Sequence, residues 1–334
     1  MAVITGTQLT TTPTLGNRED LADIIYMLKP VETPFMNGIG RSTATATKHE
    51  WQQDSPNAVN AANAVAEGLD TPAGSTTHTY WARLGNVCQI STKNVVVSGT
   101  QEAVAKAGRK SDVAHIMAKR GMELKRDMEA GLCQLGVASA SDPRTFAGFE
   151  TWIRTAAPAG ASYAGASPKP RGTNGAPGSA YSSGLATGLP TDGTLRTFDE
   201  EIFKLQLQVI YGQGGTTNLV IAPPIMKQRI SGFSGSATAM TGVVKQNDMA
   251  SKTLQTAIDV YVSDFGTLSI VPSRFCRTVS VLLCDTEYLG VAYLRPFQSF
   301  PLAKTGDAEQ REILAEYCLE MRNELAQGIC ADLQ

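Results

Sequence analysis

The sequence lacks the features that place a protein in a membrane or send it across one. None of its apolar runs approaches the ~20 residues with which an α-helix spans a bilayer. Its N-terminal stretch "MAVITGTQLTTTPTLGNRED" contains no basic segment followed by a sustained apolar one, so we expect no secretory signal.

The chain also lacks a strong net charge and any close pair of cysteines. Its 29 Lys and Arg against 31 Asp and Glu give a formal charge of −2 and no general sign of nucleic-acid binding. The six scattered cysteines form no C-x-x-C motif, which predicts buried, reduced thiols rather than disulfides or metal ligands. Only residues 106–126 are locally basic, and there we favour a solvated helix face over a surface for nucleic acid or another acidic partner.

Motifs for catalysis, phosphate binding and metal binding are missing as well. The three histidines have no metal-ligand spacing, "GFSGS" at 232–236 does not fit G-x-S-x-G, and no P-loop sequence occurs. We therefore expect neither an enzyme nor a bound cofactor or metal. The enzyme alternative is a phosphate-handling α/β protein that would use Gly212–Gly215 and Asp264.

One triplet, Asp264-Phe265-Gly266, matches the magnesium-binding motif of protein kinases. The other kinase motifs, a glycine-rich phosphate loop, H-R-D and V-A-I-K, are absent. The β-rich runs "AIDVYVS" and "TLSIV" flank the triplet, which predicts a hairpin with a three-residue loop and Gly266 in the left-handed region.

What the sequence does contain is a set of extended segments around ordered α/β cores. Its 334 residues predict two subdomains. Residues 1–41 are predicted to form an arm with a short helix that begins at Asn17 and stops at Pro30. After this helix, we expect Phe35 and Met36 to insert into another part of the molecule. Residues 42–97 predict a long hairpin without a third strand or covering helix of its own. Residues 155–197, in which 33 of 43 are Gly, Ala, Ser, Thr or Pro, predict a surface excursion rather than a packed element.

Two further segments have strong periodicity. An amphipathic helix is predicted over about 111–136, with Ser111 or Asp112 as its cap. The segment "EILAEYCLEMRNELAQGI" fits a helix by propensity and equally fits a strand whose Glu312, Glu316 and Glu320 share one face. An arm, an unpartnered hairpin and a long excursion are typical of a self-assembling subunit, because neighbouring copies can stabilise such projections.

Many longer words of the sequence resemble one family. They run in order from about residue 16 to the C-terminus and are similar to those of major capsid proteins of tailed bacteriophages, in the group typified by the coliphage SU-10 capsid protein. The words are "GNREDLADIIYMLKPVETPFMNGIG", "KHEWQQDS", "GNVCQIS", "VVVSGTQEAVAKAGR", "ELKRDMEA", "KQRISGFSG", "YVSDFGTLSIVPSRF", "AYLRPFQSFPLAKTGD" and "RNELAQGICADL".

The resemblance implies an α+β chain with the HK-97-like capsid fold. The implied parts are an N-terminal arm (1–41), an extended E-loop hairpin (42–97), a peripheral domain with a spine helix (98–149, completed by strands in 285–334) and an axial domain (150–284). Because that fold ends in a long peripheral strand, the resemblance also favours the strand interpretation of the last segment.

The implied function is that of a major capsid protein whose pentamers and hexamers close an icosahedral head around double-stranded DNA in the virion, after assembly in the host bacterial cytoplasm. Implied partners are other copies of the chain, portal and scaffolding proteins, a decoration protein and non-specifically bound DNA, with no membrane. An encapsulin-type compartment is the alternative within the same fold. Candidate intersubunit contacts are Phe35, Trp51, Tyr80 and Trp81.

Overall fold

The computed structural model describes residues 32–54, 59–62, 64, 67–68, 82–106, 108–154, 170–179, 181–233, 259–304 and 306–334. Its helices are α1 (Pro34–Gly38), α2 (Gly99–Ala103), α3 (Asp112–Cys133), α4 (Phe149–Trp152), α5 (Glu200–Gly212) and α6 (Pro224–Ser231). Its strands are β1 (Gly40–Thr43), β2 (Lys48–Gln53), β3 (Ala82–Val87), β4 (Gln89–Ser98), β5 (Leu219–Ala222), β6 (Val260–Ser263), β7 (Gly266–Pro272), β8 (Val281–Cys284), β9 (Leu289–Pro301), β10 (Ala308–Met321) and β11 (Gly328–Cys330).

A four-stranded sheet, the peripheral sheet, has the order β1-β9-β10-β4. Strand β10 is antiparallel to both β9 and β4, whereas β1 is parallel to β9. Helix α3 packs on this sheet, where Val113 of the helix meets the buried Val95 and Val97 of β4. Ser111 caps α3 by accepting a hydrogen bond from the Ala114 amide at 3.3 Å, which confirms the predicted cap.

A five-stranded sheet, the axial sheet, has the order β11-β8-β5-β7-β6. All residues of β5 ("LVIA") and of β8 ("VLLC") are buried, which is typical of strands covered on both faces. Helices α5 and α6 contribute to an apolar cluster beside this sheet, in which the ring of Phe203 meets that of Tyr261 edge-on at 5.4 Å.

One apolar core joins the two sheets. It contains Met128 and Leu132 of α3, Tyr317 of the peripheral sheet and Ile221 of the axial sheet. The fully buried Trp152 of α4 belongs to the same core. The peripheral and axial sheets therefore share this core, while the axial sheet also has the separate apolar cluster around Phe203.

The last segment is a strand up to Met321, as the family resemblance favoured. Strand β10 is a central strand of the sheet. Its carboxylate face is covered as well, because Glu316 and Glu320 are both buried. The following residues differ from the expected partition: β11 pairs with β8 and so belongs to the axial sheet, not to the peripheral strands expected over 285–334. The short apolar strand "GIC" completes the buried edge beside "VLLC".

The base of the long hairpin has more support from its own chain than the sequence predicts. Strands β2 and β3 do form a two-stranded ribbon. However, Gly85 donates a backbone hydrogen bond to Gly184, and β4 continues directly into the peripheral sheet. The expected lack of any partner within the subunit is therefore wrong for this base, because residues distant in sequence cover it.

The second half of the glycine-rich and alanine-rich excursion also differs from expectation. Within 170–179 and 181–197 the described residues form no helix and no named strand, yet they pack closely against the C-terminus. The Gly172 amide donates to Asp332 at 2.8 Å, and the Ala331 amide donates to the Pro170 carbonyl at 2.7 Å. Arg171 is fully buried and lies 3.2 Å from Asp192. Small residues permit this close backbone packing without regular structure.

The kinase-like triplet forms a hairpin turn between β6 and β7, in agreement with the sequence analysis. The loop holds two residues, Asp264 and Phe265, instead of three, because Ser263 pairs with Gly266. Gly266 has φ = +140°, a backbone conformation that residues with a side chain rarely adopt. The arm helix predicted after Asn17 lies outside the described residues.

Candidate assembly interface

The four aromatic candidates for intersubunit contact differ in their placement. Phe35 is fully buried in its own subunit, where its ring meets that of Phe149 edge-on at 5.8 Å. Trp51 is half-buried and lies 5.5 Å from Trp152 between ring centroids. Tyr80 and Trp81 lie outside the described residues. Phe35 thus has its partners within the chain, while the exposed part of Trp51 remains available to a neighbour.

The end of the arm is fixed to α3 through a buried carboxylate. Glu129 accepts hydrogen bonds from the amides of Phe35 at 2.8 Å and Met36 at 2.9 Å, both in the first turn of α1. Those amides have no partner inside the helix, so the carboxylate satisfies donors that would otherwise be buried alone. Burial raises the pKa of Glu129, and the two amide bonds oppose that rise. The predicted insertion of Phe35 and Met36 is confirmed, with α3 as the receiving element.

The hairpin base is held by one buried amide side chain. The Asn86 Nδ2 group donates to the carbonyls of Ala147 at 3.1 Å and Leu319 at 2.8 Å, and its Oδ1 accepts from the Ala147 amide at 2.9 Å. Asn86 thereby links β3, the segment before α4, and β10. Sequence reasoning missed this residue, although a single amide side chain inside the run "LGNVC" is the available signal.

A charged cluster joins three strands beside that base. Glu320 of β10 accepts from Ser42 of β1 and from Arg322, and its Oε2 lies 3.7 Å from Nε2 of His49 in β2. Despite burial, hydrogen bonds from these neighbours hold the pKa of Glu320 down at about 2. The nearby Glu320 carboxylate raises the pKa of His49. The arm end, the hairpin base and the central peripheral strand therefore meet at one ionisable contact.

Three of the seven basic residues at 106–126 are paired with carboxylates inside the chain. Lys106 lies 2.8 Å from Glu102, Arg109 pairs with Asp112, and Arg120 lies 2.7 Å from Glu123. These pairs reduce the positive charge that the stretch offers to a partner. The solvated-face interpretation fits this arrangement better than a dedicated nucleic-acid surface.

Two groups of exposed apolar side chains offer surface to neighbouring copies. The end of β9 and the residues after it expose Phe297, Phe300 and Leu302. The edge strand β6 of the axial sheet exposes Val260 and Val262, which are 63% and 74% accessible. An exposed apolar edge strand is rarely left uncovered in a functioning assembly, because its free main-chain groups and side chains favour pairing.

The segments of the enzyme alternative lie side by side, but their surroundings disfavour phosphate. The rings of Tyr211 and Phe265 are 4.9 Å apart, which brings Gly212–Gly215 close to the turn at Asp264. Those glycines follow the C-terminal end of α5, where the helix dipole is negative. A phosphate group would face that negative end and the Asp264 carboxylate.

Among the described residues, no group of three or more His, Cys, Asp or Glu has an arrangement that could hold a metal ion. Nor does any helix in that part of the chain combine the length and the apolar character required to cross a bilayer.

Comparisons with known proteins agree with one another. The family model described as SU10 major capsid protein matches residues 4–334. A major capsid protein of Escherichia phage Phieco32 is 26% identical over 335 residues, covering 94% of each chain. The cyanophage A-1(L) capsid has a TM-score of 0.63 at 16% identity and covers 97% of this chain and 99% of that one. The capsid of cyanophage P-SCSP1u has a TM-score of 0.56 at 10% identity, covering 99% and 98%. The fold is thus the HK-97-like fold of phage capsid proteins.

Proposed function

The chain belongs to the SU10 major capsid protein family, and we propose that its copies form the pentamers and hexamers of an icosahedral head around double-stranded DNA. Its function is that of a major capsid protein of a tailed phage, and its place is the capsid shell of the virion. The observation that carries the proposal is the family match over residues 4–334, because a match over nearly the whole chain leaves no second functional domain among those residues.

Each part of the subunit has a proposed role in the shell. Residues 1–41 serve as the arm, 42–97 as the E-loop, 98–149 with the following strands up to Met321 as the peripheral domain, and 150–284 with β11 as the axial domain. Asn86 and Glu320 fix the hairpin base to its own subunit, and a neighbouring copy completes the segment between β2 and β3, which has few large apolar side chains. Trp51, Tyr80 and Trp81 are its proposed contact residues, and Phe35 supports them from the core.

The remaining partners bind the subunits during or after assembly of the shell. They are a portal protein, a scaffolding protein and a decoration protein, and assembly takes place in the host bacterial cytoplasm. Packaged DNA is bound weakly and without sequence preference, which agrees with a formal charge of −2. No membrane is involved.

A deletion in the hairpin tests the proposal together with a matched control. Electron microscopy of the purified full-length protein, co-expressed with its scaffold, should show closed shells. Removing residues 55–76 and joining the strands by a short turn should leave a folded subunit, by its circular dichroism spectrum, that no longer closes shells. Lys119→Glu, at an exposed residue outside the hairpin, is the control and should still close shells. Shells formed by the hairpin deletion would contradict the proposed role of residues 42–97.

The contents of the particles separate the proposal from the compartment alternative. Particles purified from infected cells should contain double-stranded DNA and no stoichiometric cargo enzyme. A cargo protein in DNA-free particles would instead favour an encapsulin-type compartment, which the matched family and relative do not support. Tight nucleotide binding by the free subunit would favour the enzyme alternative, against which the negative end of α5 argues.

A further inference from the structure

Two of the buried cysteines face each other across neighbouring strands. The Sγ atoms of Cys88 and Cys318 are 3.6 Å apart, and both residues are fully buried. In the ladder between β4 and β10, Tyr317 lies opposite Gln89, so one further step along the same register brings Cys318 opposite Cys88. Directly opposed residues of antiparallel strands have Cα atoms about 4.5–5.5 Å apart, which lies within the range that disulfides span.

From this juxtaposition we propose that Cys88 and Cys318 are a redox modification site, at which a small hydroperoxide converts the two thiols into a disulfide. The inference is independent of the proposed shell geometry, since it concerns one subunit only. The remaining buried thiols of the chain include Cys330, which has no thiol opposite it among the described strand pairs.

A route for a small oxidant leads to Cys88. The Cys88 thiol contacts the Ala46 carbonyl at 3.8 Å, and Ala46 lines an open cavity of about 630 Å³ together with His49 and Trp51. Ala46 is therefore in contact with both the cavity and the Cys88 thiol. The Cys318 thiol lies within hydrogen-bond distance of the Cys88 sulfur and lowers the pKa of Cys88, which favours its thiolate.

The reaction balances with hydrogen peroxide as the oxidant. The Cys88 thiolate attacks one peroxide oxygen, the O–O bond breaks, and the departing hydroxide takes up the proton that Cys88 released, which gives a sulfenic acid and one water. The Cys318 sulfur then attacks the sulfenic sulfur; the S–S bond forms, the S–O bond breaks, and the second hydroxide leaves as water with the proton of Cys318. The two thiols supply the two electrons that reduce the peroxide.

The disulfide would fix the hairpin base to the central peripheral strand. Cys88 lies between the end of β3 and the start of β4, and Cys318 lies in β10. A covalent bond at this point closes a long loop of the chain, which restricts the unfolded state more than a short loop would. We therefore expect the oxidised subunit to unfold at a higher temperature than the reduced one, with the difference removed by a reductant.

Thiol mapping of the full-length protein tests the site. The folded protein is treated with hydrogen peroxide, and its remaining thiols are then alkylated in denaturant, because all six cysteines are buried. Digestion without reductant should yield one linked peptide pair that contains Cys88 and Cys318. The other four cysteines should be alkylated. Cys318→Ala should yield a Cys88 sulfenic acid that dimedone traps, and Cys88→Ala should leave five thiols and no link. Cys330→Ala is the matched buried control and should still form the link.

Several results would overturn the proposal. Full alkylation of all six cysteines after peroxide treatment of the folded protein would show that the pair does not react. Cys133, at the end of α3, and Cys276 are a second pair of neighbouring buried thiols, which do not lie on opposed strands. A link between those two, or oxidation of Cys88 beyond the sulfenic acid without any link to Cys318, would show that opposition across the strands does not direct the chemistry.

Discussion

The peripheral and axial sheets of this subunit are held by different kinds of side chain. In the axial sheet, "LVIA" and "VLLC" are buried apolar strands. In the peripheral sheet, buried carboxylates lie among the apolar residues; Glu316, for example, bonds to Arg144 at 2.8 Å and Arg295 at 2.7 Å. Paired buried charges are poor sources of stability but accept few alternative arrangements. The difference suggests that the axial sheet supplies cohesion, while the polar contacts of the peripheral sheet determine how arm and hairpin leave the subunit.

The largest expected effect comes from removing the buried amide at the hairpin base. Asn86→Ala leaves three main-chain contacts, to the Ala147 amide and to the carbonyls of Ala147 and Leu319, without their partner. Since each unsatisfied buried group costs about 1–3 kcal/mol, the free energy of unfolding should fall by at least about 3 kcal/mol in urea titrations. The apolar axial change Ile221→Val should cost only about 0.5–1.5 kcal/mol.

Exposed Asn94, on the following strand, provides the matched control for that variant. Asn94→Ala should change the free energy of unfolding by less than about 0.5 kcal/mol. If Asn86→Ala were no more costly than Ile221→Val, the proposed difference between the two sheets would not hold.

A smaller loss is expected at the axial hairpin turn. Gly266 has φ = +140° and open space around the position of a Cβ atom, so a substitution there strains the backbone without a clash. Gly266→Val should lower the free energy of unfolding by about 1–3 kcal/mol. Asp264→Ala, at an exposed turn residue, should be close to neutral. Thermal denaturation of both variants and the parent measures the difference. Equal stability of both variants and the parent would exclude strain at this turn.

The pH dependence of stability should come from the peripheral sheet. Because the folded pKa of Glu320 is lowered to about 2, its contribution is present above its ordinary value of 4.5 and is lost as pH falls from there toward 2. The folded pKa of His49 is raised, so its contribution is complete below 6.5 and is lost as pH rises through that higher value. The contact is therefore strongest between these limits.

Glu320→Gln should remove most of this dependence. Urea midpoints measured across the pH range should decline less for the variant than for the parent, both on acidification below 4.5 and on the basic side of the His49 titration. An unchanged pH profile in the variant would assign the dependence to other groups, such as the buried Glu129.

The smallest effect is expected on the basic face of α3. Lys119 and Lys125 are exposed, and Arg120 is already paired with Glu123. Lys119→Glu should therefore change the free energy of unfolding by less than about 0.5 kcal/mol and leave assembly intact. Filter binding of the free subunit to DNA should be weak and strongly salt-dependent in both proteins. Tight, sequence-specific binding that the variant loses would contradict the solvated-face interpretation.

The sequence predicted the locally determined elements well. The cap at Ser111 and the turn at Asp264 follow from short-range pattern, and each is present in the structure. The strand character of residues 308–321 was ambiguous because propensity favours a helix there, and only the family resemblance resolved it. The fold class and the function likewise required the resemblance, since no single motif carries them.

The contacts that join distant segments could not be predicted. The bonds of Asn86 to Leu319 and of Glu129 to Phe35 link residues 233 and 94 positions apart, and no local pattern encodes such pairs. The same limitation explains why the hairpin base was expected to lack support and why residues 170–197 were expected to lie unpacked on the surface. The partners are Gly184, Ala147 and Leu319 for the hairpin base, and Ala331 and Asp332 for residues 170–197.

Hydrogen exchange on free subunits and on closed shells tests whether a neighbouring copy completes the hairpin. The amides of β3 and β4 should exchange slowly in both states, because the subunit itself holds this base. Residues 55–78, which contain few large apolar side chains, should exchange quickly in free subunits and slower by orders of magnitude in shells. Equal protection of residues 55–78 in both states would contradict the claim that a neighbouring copy completes the hairpin.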